Sequence, residues 1–202
     1  MDTVAVPSAS AVQEPRGALE IYRAQRLERL FDACFGGHWR TKLVGGASEP
    51  YYQPASGPRD CHRLYYRSDY FASALHEISH WCIAGEQRLQ QPDFGYWYAP
   101  EGRDAAQQRA FETVEAKPQA LEWMFSLACG YRFCISVDNF GAPDGEPHDT
   151  LPFKRQVLEQ SRRWQSRGLP PRAQVFFNAL CLDFDTGVQL PELELTISGL
   201  VG

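Results

Sequence analysis

No unbroken apolar stretch in this 202-residue sequence reaches the roughly 20 residues a membrane helix needs. Its start, MDTVAVPSASAVQEPRG, lacks the basic residues and apolar run of a secretory signal. Positive charge is not in excess either. The formal net charge is −5, which argues against the basic footprint of a nucleic-acid binder and leaves carboxylates free to attract a cationic substrate or hold a metal. The six cysteines, Cys34, Cys61, Cys82, Cys129, Cys134 and Cys181, form no C-x-x-C pair and sit mostly in apolar stretches, as reduced core cysteines do. These absences together predict a cytoplasmic protein with no membrane partner and no direct contact with nucleic acid.

With 44% apolar residues, the chain can bury one sizeable core. Residues 1–17 have no periodicity and read as a flexible leader. Residues 18–202 read as a single metal-dependent catalytic domain. Leu27, Leu30, Phe31 and Cys34 recur at helical spacing, and Gly36-Gly37 ends that helix. Thr41 to Val44 and Arg63 to Tyr66, set among Gly/Pro turns, predict strands and hairpins of a small sheet. A helix is expected from Ser68 or Asp69, either able to cap it, to a stop at Gly85. Further helices are expected from about Asp104 to Ala128, broken by Pro118, from Pro152 to Arg167 and from Arg172 to Asp183; Arg132 to Val137 reads as a strand. No βαβ rhythm is present, so the predicted fold is α+β, a mainly helical body with a small sheet.

His76-Glu77-Ile78-Ser79-His80 is the H-E-x-x-H pattern. On a helix of 3.6 residues per turn, imidazoles four residues apart project from one face to a common point. Leu75, Ile78, Trp81, Cys82 and Ile83 are apolar, so the helix is expected to be buried, where two polar rings without partners are costly. Such a string arises by chance in roughly one chain of this composition in a hundred. The competing reading is a pair of hydrogen-bonded core histidines beside a solvated glutamate.

A metal here needs a third ligand. Glu112 and Glu115 lie one turn apart on the following helix, and a glutamate from a neighbouring helix completes many two-histidine sites. Glu115 is favoured because Pro118 cannot donate to the Val114 carbonyl and should kink the helix there. Glu112 stays open as the alternative, and Asp138 and His148 rank lower as loop residues. Two imidazoles and a carboxylate suit Zn²⁺ with a water, in which case Glu77 is the general base of a hydrolase acting on a peptide or RNA. They suit Fe²⁺ equally, as a facial triad with open positions, Glu77 then relaying protons or supporting the ligands. A closed structural site would want four ligands, commonly cysteines, and Cys82 points off the imidazole face.

The similarity continues past the motif, through His76 to Gly85, Asp93-Phe94-Gly95-Tyr96-Trp97-Tyr98, Pro100 to Asp104, and Glu112-x-x-Glu115-x-Lys117-Pro118-Gln119-Ala120-Leu121. In these blocks the chain resembles the elongation factor P hydroxylase family. The resemblance implies a non-haem, iron-dependent enzyme that hydroxylates the lysine side chain of translation elongation factor P after a β-lysyl group has been attached. It also implies His76, His80 and Glu115 as ligands, in a fold related to zinc-hydrolase-like folds rather than the usual jelly-roll oxygenases. A substrate arm ending in ammonium groups needs aromatic faces and carboxylates along its path; Tyr96, Trp97, Tyr98, Asp93 and Asp104 are the candidates.

Overall fold

The computed structural model describes residues 21–95, 104–136 and 149–201. Its elements, in chain order, are helix α1 (Ala24–Phe31), strands β1 (Thr41–Ala47), β2 (Tyr51–Gln53) and β3 (His62–Arg67), and helices α2 (Phe71–Ile83), α3 (Ala105–Cys129), α4 (Leu151–Arg167) and α5 (Pro171–Asp183). The architecture is α+β: among the described residues, five helices with one three-stranded sheet. No helix among the described residues is long and apolar enough to cross a membrane.

Sheet order is β1-β3-β2, with β1 parallel and β2 antiparallel to the central β3. Leu43, Tyr52, Leu64 and Tyr66 are buried, and Leu64 pairs with both Leu43 and Tyr52. Alternation along each strand thus puts one face into the core. Glu28 of α1 ties the sheet to the helices: its carboxylate accepts the Tyr66 hydroxyl at 2.8 Å and the Gly45 N–H at 3.0 Å. Gly45 has to be glycine, because a Cβ there would lie 2.5 Å from the Tyr66 hydroxyl oxygen.

Helix α2 buries Phe71, Ala74, Leu75, Ile78, Trp81 and Cys82, an i, i+3, i+4, i+7 stripe, and packs against β3, α3 and α5. It starts later than the capping residues suggested. Ser68 takes a left-handed φ of 51° in the turn after β3, and Tyr70 precedes the first helical residue. The Ser73 hydroxyl instead accepts the Arg67 N–H at 3.0 Å, joining strand to helix.

Two further expectations are corrected. Helix α3 runs unbroken through Pro118. A proline inside a helix costs about 3 kcal/mol, and burial of Ala120, Leu121, Trp123, Met124, Phe125 and Ala128 directly after it outweighs that. The Arg132 to Val137 segment forms no strand among the described residues. Cys134 makes one parallel bridge to Val201, and the Ile135 N–H donates to the Val201 carbonyl at 2.8 Å. The place of a strand partner is taken by Gln119, whose side chain donates to the Ser136 carbonyl at 2.6 Å and accepts its N–H at 3.1 Å. Cys134 is consequently exposed, whereas Cys82 and Cys129 are buried; all six cysteines are free.

The core's centre is aromatic. Phe31 lies 5.0 Å from both Phe35 and Trp81 and 6.2 Å from Phe176, measured between ring centroids. It joins α1, α2 and α5 at one point. Phe31→Ala is therefore expected to lower unfolding free energy by about 3–5 kcal/mol, read from urea denaturation; a loss below about 1 kcal/mol would show that the cluster is not the centre of the fold.

Candidate metal centre

Helix α2 presents His76, Glu77 and His80 on the flank beside its buried stripe, facing α3. His76 Nε2 and His80 Nε2 converge to 3.1 Å. Glu115 of α3 approaches from the other side, one oxygen 3.5 Å from His76 Nε2 and the other 3.5 Å from His80 Nε2. His76, His80 and Glu115 form the group whose donor atoms all lie within 4.8 Å of one another. Burial deepens across it, from 27% side-chain exposure at His76 to 11% at His80 and 4% at Glu115. The site has an open side at His76 and a closed one at Glu115.

The donors fit a divalent transition metal. Bonds of about 2.0–2.2 Å to nitrogen and oxygen put neighbouring ligand atoms roughly 3–3.5 Å apart, the separations found here. Tautomer chemistry agrees. Glu122, two turns along α3 from Glu115, meets His76 Nδ1 at 2.8 Å; when that nitrogen carries the proton, Nε2 keeps a lone pair aimed at the common point.

The electrostatics also call for a cation. Burial disfavours charge on His76, but the hydrogen bond it donates to Glu122 and the charges of Glu122, Glu115 and Glu77 prevail and push its pKa up to about 10. Burial raises the Glu122 and Glu77 carboxyls, while the neighbouring histidines pull both down. Without a metal, the imidazolium of His76 balances the carboxylates; an ion bound to both Nε2 atoms would supply that charge instead.

Glu112, one turn before Glu115, is buried but lies outside the ligand group and accepts from the Gln108 side chain at 3.2 Å. The Asp93 carboxylate accepts the Tyr52 N–H at 2.8 Å. Asp104 caps α3, accepting the Ala106 and Gln107 N–H groups at 2.8 Å while its own N–H donates to the Gln107 side chain. Tyr96, Trp97, Tyr98, Asp138 and His148 lie outside the described residues.

Two contributors were not anticipated. Glu122 was missed, although it sits seven residues after Glu115 in a row of polar positions on an otherwise apolar stretch. Phe94 is the other. Asp93 and Phe94 both hold left-handed φ values, 46° and 56°, which non-glycine residues rarely adopt and which only surrounding contacts can maintain. Those contacts are the Asp93 bond to Tyr52, an Arg88 bond to the Phe94 carbonyl at 2.9 Å, and stacking of Phe94 on Tyr52 at 4.4 Å. The Phe94 ring ends parallel to that of His80, 6.4 Å away, forming an apolar wall beside the ligand.

Three results are expected from equilibrium metal titration. His76→Ala, His80→Ala and Glu115→Ala should each lose most bound metal while staying folded, and Glu112→Ala should keep it. Glu122→Gln should bind about 10–100-fold more weakly, because the ligand remains but its orientation is lost. Unchanged affinity in Glu115→Ala, or equal losses in Glu112→Ala, would reassign the third ligand.

Comparison with known proteins identifies the family. The model for elongation factor P hydroxylases matches residues 30–193, a span containing the sheet, α2 to α5 and all the residues of the candidate site. An elongation factor P lysine hydroxylase of Haemophilus influenzae is 41% identical over 177 residues, covering 87% of this chain and 98% of that protein. On both counts, the chain belongs to the elongation factor P hydroxylase family.

Proposed function

We propose that this protein is a non-haem iron hydroxylase acting on the β-lysylated lysine side chain of elongation factor P. The observation that carries the reading is the convergence of His76, His80 and Glu115 in a chain 41% identical to a protein named for elongation factor P lysine hydroxylation. A bound Fe²⁺ would supply dioxygen activation. The protein's own part is to hold the two imidazoles, keep the His76 tautomer through Glu122, and shield one flank from water with Phe94. Glu77, next to His76 on the same helix, is placed to pass a proton at the open side.

The cationic substrate arm would enter there, because Glu77, next to His76, adds a carboxylate that favours an ammonium group, with Asp93 as a charge partner. Tyr96, Trp97 and Tyr98, which follow Phe94 directly in sequence, are proposed to line its path, with Asp104 as a further charge partner. An H-E-x-x-H helix with a third ligand from the next helix also supports a relation to zinc-hydrolase-like folds. A cytoplasmic location follows from a translation factor as substrate.

Given Fe²⁺, oxygen and a reductant, the protein should add the mass of one oxygen atom to β-lysylated elongation factor P and nothing to the unmodified factor, and His76→Ala should add none. Mass spectrometry of the intact factor reads both. Zinc-dependent, oxygen-independent cleavage of peptide or RNA that disappears in Glu77→Gln would overturn the hydroxylase reading in favour of a zinc hydrolase with Glu77 as base.

A further inference from the structure

Beside His80 lies an open cavity of about 650 Å³ lined by the end of α2, by α3 and α4, and by the start of α5. Its charge is opposite to that of the motif. Among the described residues lining it are four cations, Arg88, Lys117, Arg163 and Arg172, against one carboxylate, Glu86, in a chain of formal net charge −5; Arg163 is also paired with Glu159 of its own helix at 3.3 Å. Arg172 is held in place: its guanidinium lies 4.6 Å from the ring centroids of both Trp39 and Trp81 and donates to the carbonyls of Cys82 and Ala84. It is half-buried, and the other three are exposed. Trp39 and Trp164 add apolar wall.

Like charges brought together around one concavity repel, and a bound anion relieves that repulsion. The volume falls in the range of small-molecule sites, roughly 300–1,000 Å³. An ammonium-ended arm is repelled from this cavity, so the cationic substrate is not its occupant. We propose that the cavity binds a small carboxylate anion, seated against His80. A guanidinium can give paired N–H groups to a carboxylate, Lys117 adds a point charge, and the backbone bonds of Arg172 hold its charge at the cavity wall. This binding claim does not depend on the reaction proposed above, and its test does not use that reaction.

The test is calorimetric titration of the full chain with succinate at low ionic strength, with succinamide as the neutral counterpart of equal shape. Lys117 and Arg163 are exposed helix residues, so a Lys117→Gln, Arg163→Gln double variant should keep its fold, which circular dichroism checks. Saturable one-to-one binding of succinate tighter than about 1 mM, none of succinamide, and at least a tenfold loss in the double variant are expected. Weaker or non-saturating binding, equal binding of succinamide, or undiminished binding by the folded double variant would overturn the proposal. So would absence of succinate binding together with weaker association of the double variant with elongation factor P, which would assign these cations to protein docking.

Discussion

Three carboxyl groups, Glu112, Glu115 and Glu122, are buried on one helix. They belong to a stripe of buried polar residues, Gln108, Glu112, Glu115, Gln119, Glu122 and Ser126, which alternates steps of four and three and so stays on one face of α3. Burying a carboxylate costs several kcal/mol unless donors or opposite charge meet it. Each carboxyl has a partner, Gln108 for Glu112, both histidines for Glu115 and His76 for Glu122, and Gln119 has the Ser136 backbone. The match between this stripe and His76 and His80 sets how α2 and α3 face each other.

The rest of the fold supports that match. Trp81 and its aromatic neighbours seat the apolar side of α2, which turns the histidines to α3. Strand β3 leads into α2 through the Arg67 and Ser73 bond, and Glu28 joins β3 to α1. Strand β2 acts at a distance: Tyr52 anchors Asp93 and Phe94, and Phe94 walls His80. The strain at two left-handed residues beside the ligands is thus maintained by contacts that reach back to the sheet.

Much of this was legible in the sequence because periodicity and residue chemistry report it directly. The spacing of His76 and His80, the apolar stripe around them, and the helices ending at Arg167 and Asp183 all follow from local patterns. The order β1-β3-β2 was not legible, since pairing between strands distant in sequence leaves no local mark. Pro118 was misleading: proline's local penalty is real, but tertiary burial exceeded it. The segment around Ser136 read as a strand from its apolar residues; its partner is a side-chain amide, which no strand pattern encodes. Glu122 was hidden for a different reason. A buried glutamate looks like a solvated one until the facing histidine is known, although the seven-residue interval from Glu115 was present in the sequence.

The central claim is that the two Nε2 atoms and Glu115 hold one metal ion. Crystals loaded anaerobically with Fe²⁺ and measured across the iron absorption edge test it directly. One anomalous peak is predicted, within about 2.3 Å of His76 Nε2, His80 Nε2 and a Glu115 oxygen, with Glu122 still on His76 Nδ1. A peak bound through His76 Nδ1, a peak at Glu112 or at a cysteine, or no peak between α2 and α3 would contradict the account.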